Sequence, residues 1–332
     1  METPKLDLPD PDTGARRLTA TLGALPGPLF AVMDGALFDD LPGDLLRMGI
    51  TGRSLFLDHA DKDVERAGPW FVALSTDAVR DHVVGLAAAR PCAVFWECPD
   101  GADRMFRHLR GINKVLYPKA FLTEMVEEPE EVDNDDDAAA APPVKRETHE
   151  MVLFRHCDPN VMAQTLPALT EVETARLLGA ADTLLFMPHP DWADGDGRVA
   201  MARADRSIRA PTGPLRLSEG TVERIGGARQ HRRHRRLAAY LRKVAPQQTE
   251  GMDDRALTEK AAEHAAEAEA YGVRSEAGQG RWCYLQVITG GAMTDDPSIH
   301  RLMTTREPGV SPDQRVRLLL QQSAAALRNQ RP

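Results

Sequence analysis

The sequence predicts an α/β N-terminal lobe with a mixed sheet, followed by an α-helical C-terminal lobe. Three observations carry that expectation. Short apolar runs alternate with capped helical stretches between Leu29 and Met187, the pattern of a layered α/β fold. A connection rich in glycine, aspartate and proline, from Asp191 to Pro214, interrupts the alternation. From Ser218 onward apolar residues recur at helical spacing.

The elements follow in order. Residues 1–27 are polar and are expected to form a flexible N-terminus. Leu29-Phe30-Ala31-Val32-Met33 reads as a first buried strand closed by Asp34-Gly35, and a helix is expected around Leu41 to Met48. A short apolar piece at 54–57 precedes a strand over Gly68–Leu74, a helix over Asp77–Ala89 and a strand over Cys92–Trp96. Asp103 to Arg110 places Met105, Phe106 and Leu109 at helical spacing. Two strands are then expected, Lys119–Val126 and Arg146–Phe154, in which Met151, Val152, Leu153 and Phe154 suit a buried strand. Between them Glu127 to Val144 holds eight carboxylates and too little apolar surface to fold alone, so a disordered loop is expected there. An acidic lure for a basic partner is the functional alternative for that segment.

Asp158 is a good N-cap, and Pro159 suits the first helical position because its absent N–H would have had no partner. Thr170 with Glu173 forms a capping box for the next helix, Gly179 marks its end, and Thr183 to Met187 reads as another strand. In the second lobe, helices are expected over about 219–244 and 253–271. In the second of these, Leu257, Ala261, Ala265, Ala268 and Tyr271 line one face. A third helix holds Trp282, Leu285 and Ile288, and the last starts at the capping box Ser311 to Gln314 and buries Val316, Leu319, Leu320, Ser323 and Leu327. The expected organisation is thus a flexible N-terminus (1–27), an α/β domain (28–190), a linker (191–217) and a helical domain (218–330).

Composition narrows the function. The 332 residues carry a net charge of −9, with 42% hydrophobic and 27% charged residues, as in an ordinary globular chain. That charge argues against general binding to nucleic acid or anionic membranes. Cys92, Cys98, Cys157 and Cys283 form no CxxC pair, which points to reduced thiols and a cytoplasmic location. No apolar run approaches the length needed to span a bilayer, and the start lacks a signal-peptide pattern.

The motifs of chemistry are weak. His156, Cys157 and Asp158 are adjacent, and neighbours on a strand point to opposite faces, so they do not pair as nucleophile and base. In the structural reading, Cys157 is a small buried residue, Asp158 a cap, and Arg155 a partner for a carboxylate or for helix carbonyls. No phosphate loop, nucleotide fingerprint, nucleophile elbow or zinc helix is present, so neither an enzyme nor a cofactor is expected. The strongest basic patch contains Arg229, Arg232, Arg233, Arg235 and Arg236, with Arg242, Lys243, His231 and His234 nearby. It reads as a solvated helix face paired with the neighbouring acidic helix, or as a dock for an acidic partner. Nucleic-acid contact is the poorest reading, because no aromatic residues are interleaved for stacking.

Arg155-His156-Cys157-Asp158-Pro159 resembles the Arg-x-x-Asp-Pro motif of the type VI secretion adaptor chaperones. The short Leu-Thr-x-x-Glu helix behind it, Asp34-Gly35, Gly68-Pro69-Trp70 with Leu74, His108-Leu109-Arg110, Ala268 to Gly272 and Asp295-Asp296-Pro297 are also similar to elements of that family. The resemblance implies an adaptor that holds a secreted effector and helps load it onto a valine-glycine-repeat spike protein. It assigns Arg155, Asp158 and Pro159 a structural role. The alternatives are an undetected hydrolase or toxin, or a nucleic-acid-binding protein using the basic helix at 229–243.

Overall fold

A computed structural model describes residues 11–56, 61–122, 148–192, 199–305 and 309–329. In chain order the first elements are α1 (Pro11–Gly23), β1 (Leu29–Asp34), α2 (Leu41–Arg47), β2 (Gly52–Ser54), α3 (Lys62–Ala67), β3 (Pro69–Ala73), α4 (Asp77–Ala89) and β4 (Ala93–Glu97). Next come α5 (Ala102–Arg110), β5 (Lys114–Pro118), β6 (His149–Leu153), α6 (Pro159–Thr165), α7 (Glu171–Leu178), β7 (Thr183–Phe186), β8 (Ala200–Arg203) and β9 (Leu215–Arg216). The helical region comprises α8 (Glu219–Val244), α9 (Pro246–Thr249), α10 (Asp254–Ala270), α11 (Glu276–Ile288), α12 (Pro297–Thr304) and α13 (Pro312–Asn329). The predicted sheet-rich lobe followed by a helical lobe is what forms.

Among the described residues, those up to Gly226 and those from Gly227 onward make two compact units. In the first, a six-stranded sheet runs β2-β3-β1-β4-β7-β8, with every neighbouring pair antiparallel. A smaller sheet runs β6-β5-β9 and is mixed, since β5 pairs antiparallel with β6 and parallel with β9.

The large sheet is apolar on both sides because each side carries its own core. Phe30, Val32, Phe71, Val94, Trp96, Leu184 and Phe186 point into one core, where α5, α6, α7 and the small sheet contribute Met105, Leu109, Met162, Leu177 and Val115. Ala31, Met33, Val72, Ala93, Phe95 and Leu185 point into the other, filled by Leu18, Leu22, Leu41, Leu45, Val83 and Val84 from α1, α2 and α4. Successive strand residues serve opposite faces, so a strand covered on both sides appears in sequence as a continuous apolar run.

The helical unit has two contiguous clusters. Leu237 and Leu241 of α8 pack with Leu257, Ala261 and Ala265 of α10 and Cys283 of α11. Trp282 and Leu285 pack with Ala268, Met303, Val316 and Leu319. Of the face expected on α13, Val316 and Leu319 are buried, Leu320 and Ser323 are half-buried, and the side chain of Leu327 lies outside the described residues.

Four expectations need correction. The N-terminal stretch is not wholly flexible: residues 11–23 form α1, and Leu18 and Leu22 are fully buried. Their i, i+4 spacing makes one apolar stripe that packs on the sheet core. The linker at 191–217 supplies two strands, β8 against β7 and β9 against β5, and Leu215 and Leu217 are buried. Those pairings are long-range, and a run of four residues or fewer gives little periodicity to read. The strand expected over 119–126 lies at 114–118 instead, followed by a 3-10 turn at Lys119–Phe121. Pro118 has no N–H to continue the ladder. Residues 123–126 and the acidic segment 127–144 lie outside the described residues. Finally, β6 is not a buried strand: Met151 and Leu153 are 46% and 57% exposed, because β6 is an edge of a sheet with one packed face.

Candidate functional site

The Arg-x-x-Asp-Pro segment sits where β6 turns into α6. The Asp158 side chain accepts the Asn160 N–H at 2.8 Å, and Pro159 occupies the first helical position. The Arg155 guanidinium donates to the Asp34 carboxylate at the end of β1 and lies 3.9 Å from Asp158. Asp34 is 1% exposed. Burial raises its pKa from the usual carboxylate value, and Arg155 offsets part of that cost. The same carboxylate accepts the Ala36 N–H at 3.2 Å. A Cβ at position 35 would collide with the carbonyl oxygens of Arg66 and Gly68, so the Asp34-Gly35 turn admits only glycine at its second position. The structure therefore resolves the two readings of Arg155 in favour of a carboxylate partner.

His156 and Cys157 do not form a reactive pair. The His156 ring lies wholly buried, with Nε2 at 2.8 Å from Asn113 Oδ1. The Asn113 amide donates to the Leu55 carbonyl, so its oxygen is an acceptor and His156 Nε2 carries the proton. Burial lowers the His156 pKa to about 3, and the imidazole stays neutral. Cys157 is buried and its thiol pKa is pushed well up by desolvation, the opposite of what a nucleophilic thiolate needs.

Sequence reasoning placed Glu173 in a capping box but missed what else it does. Its carboxylate accepts the Thr170 N–H (2.7 Å), the Ser218 N–H (2.7 Å) and the Thr221 hydroxyl (2.7 Å). It thus fastens the start of α7 to the start of α8. Burial opposes the charge, yet these hydrogen bonds together hold the pKa below the usual value. No local signal pairs position 173 with 218 and 221; only the tertiary contact does.

The basic patch lies on α8. Arg233 pairs with Glu269 of α10 at 3.3 Å and donates to the Arg274 carbonyl, and Arg236 pairs with Glu276 of α11 at 3.2 Å. Arg229, Arg232 and Arg235 also have interaction partners. These contacts fit the reading of a helix face paired with acidic neighbours. Burial, and then Arg233, lowers the pKa of His234, an electropositive setting that repels a cation.

The small sheet carries a surface that sequence reasoning had folded into the core. Its inner face packs Val115, Val152 and Leu215 against the large sheet's core. Cα partners across the strands share a face, so Leu153 lies with Lys114, Met151 with Leu116, and Leu116 with Arg216. These residues form the outer face. Met151 and Leu153, together with Leu55, Phe56 and Val64, line a concavity of about 480 Å³. Arg110 and Lys114 line it too. Met151, Val152, Leu153 and Phe154 run without a polar break, so the strand suits burial on both faces when read from sequence alone.

Comparison with known proteins is sparse. Residues 29–122, from β1 to the 3-10 turn after β5, match a family described as a domain of unknown function (DUF4123). No curated protein and no solved structure matches the chain. Among the described residues no helix is long and apolar enough to cross a membrane.

Proposed function

We propose that this chain is a non-enzymatic adaptor that binds a type VI secretion effector and helps load it onto the valine-glycine-repeat spike protein. One observation carries the reading. The Arg-x-x-Asp-Pro segment that resembles the adaptor motif lies outside the matched residues 29–122, yet its Arg155 bonds Asp34 inside them. The two family features are one structural junction. The buried, high-pKa Cys157 and the neutral His156 bonded to Asn113 support a structural role for the motif.

In this reading the adaptor covers apolar effector surface that would otherwise aggregate, and releases it at assembly. Affinity purification of the full chain from its host, followed by reciprocal pull-down with each purified candidate, tests it. Recovery of a secreted effector and a spike protein is expected. Recovery of neither, together with turnover of a substrate by the purified chain, would replace the adaptor by the hydrolase alternative.

A further inference from the structure

We propose that a cationic cleft between α5 and the end of α7 binds a compact, multiply charged anion of the phosphate class, carried by a small molecule. The chemistry of this cleft is independent of the adaptor reading. Arg104, Arg107 and His108 stand at i, i+3 and i+4 on α5 and so share one face of that helix. Together with Arg176 near the end of α7 and Gly179 just beyond it, they line a concavity of about 360 Å³. That volume is at the small end of ligand sites, which span roughly 300–1,000 Å³. A Cβ at Gly179 would overlap the His108 ring, so glycine lets the end of α7 come this close to α5.

Folding does not account for the three guanidiniums. Arg104 and Arg107 are exposed, and among the described residues neither side chain has a hydrogen bond or an ion pair. Arg176 is half-buried and donates to the Gly213 carbonyl at 2.6 Å. Burial lowers its pKa, and no counter-charge opposes that loss. Cations are favoured at helix C-termini, and two helices end here, but together they supply only about one negative charge. The carbonyls that follow α7, those of Gly179, Ala180 and Ala181, are already taken by Arg206, which also pairs with Asp182. His108 takes the Leu177 carbonyl. The His108 ring registers the excess positive charge: burial lowers its pKa to about 4, the Leu177 carbonyl opposes that, and Arg176 and Arg104 lower it further. A single carboxylate would offset one of three positive charges. A phosphate group brings about two negative charges and three acceptor oxygens, in a geometry that guanidinium forks match.

The test is isothermal titration calorimetry of the full chain at about 0.15 M ionic strength, with inorganic pyrophosphate, acetate and a phosphoserine peptide as probes. Pyrophosphate should bind, and acetate, with its single charge, should bind at least about tenfold more weakly. Replacing Arg104 and Arg107 together by glutamine should weaken pyrophosphate about tenfold or more, because two charge-assisted contacts are lost. Both side chains are exposed, so the double variant should keep its fold by circular dichroism. The same replacement at Arg229 and Arg235 on α8 should leave the affinity unchanged, which separates this cleft from the basic helix. No binding of pyrophosphate, equal binding of acetate, or an unchanged affinity in the Arg104→Gln, Arg107→Gln variant would overturn the proposal. Loss of binding in the α8 variant would overturn it too, by moving the site to that helix. A phosphoserine peptide bound more than about tenfold tighter than pyrophosphate would replace the small molecule by a phosphorylated protein. A gain of more than about tenfold on replacing residues 127–144 with glycine and serine would assign the cleft to the chain's own acidic segment and overturn the proposal as well.

Discussion

Asp158 joins a helix to an ion pair, and both of its roles can be measured. Asp158→Ala removes the acceptor for the Asn160 N–H and should cost about 0.5–2 kcal/mol in urea unfolding, whereas Asp158→Asn should stay close to the parent because asparagine caps as well. Arg155→Ala leaves the buried Asp34 carboxylate without its counter-charge and should cost about 1–3 kcal/mol. His156 sets a pH dependence whose sign follows from its environment. The free imidazole titrates near 6.5 and the folded one at about 3. As pH falls below 6.5 the unfolded chain takes up a proton that the folded chain refuses, so stability must fall. The loss should reach about 2 kcal/mol by pH 5 for this one group. His108, lowered to about 4 chiefly by burial, acts in the same direction. Unfolding of His156→Asn, measured between pH 7 and 5, should show a shallower pH slope than the parent; equal slopes would remove His156 from the account.

At the level of elements, the connections between them are held by single side chains. Glu173 caps α7 and also holds Ser218 and Thr221 at the start of α8. Glu173→Ala should cost about 1.5–3 kcal/mol, as expected for hydrogen bonds to a charged acceptor. Amide exchange should rise together in the first turns of both helices, and a rise confined to α7 would show that the link to α8 is idle. Gly179 ends α7 with φ +53, and a Cβ there would overlap the His108 ring. His108 is itself held by the Leu177 carbonyl at 2.8 Å, so it has little room to yield. Gly179→Ala should therefore cost about 1–3 kcal/mol, the usual range for a strained backbone position, read as a drop in the melting temperature.

Across the whole molecule, the four free cysteines report on each unit separately. Cys92, Cys98 and Cys157 are buried in the sheet unit and Cys283 in the helical unit. Burial pushes the Cys92 and Cys283 thiols to about 12 and raises Cys98 and Cys157 as well. A thiol reagent should find almost no reactive cysteine in the native protein at neutral pH and four after unfolding, because only the exposed thiolate reacts. Cys283 alone should follow unfolding of the helical unit when mass spectrometry resolves the labelled sites. Rapid labelling of any of the four in the native state would contradict the packing described.

Much was determined by the sequence itself. The double-sided apolar runs at Leu29–Met33 and Ala93–Trp96, the caps at Asp158, Thr170 and Ser311, and the long helix from Glu219 to Val244 all rest on local chemistry: burial period, N-cap acceptors and helix propensity within a few residues. The elements that failed were those whose identity depends on distant partners. Helix α1 holds its place through Leu18 and Leu22 packing on a sheet formed later in the chain. Strands β8 and β9 are too short to show a period and exist because β7 and β5 offer free edges. The role of Arg155 needed Asp34, far away in sequence, and Glu173's grip on α8 needed a fold that brings position 173 to position 218. Most telling is β6. Its apolar residues fitted a buried strand, and only the arrangement of sheets decided that Val152 faces the core while Met151 and Leu153 face outward. A sequence records which residues are apolar; which face of a strand is covered depends on what the rest of the chain places against it.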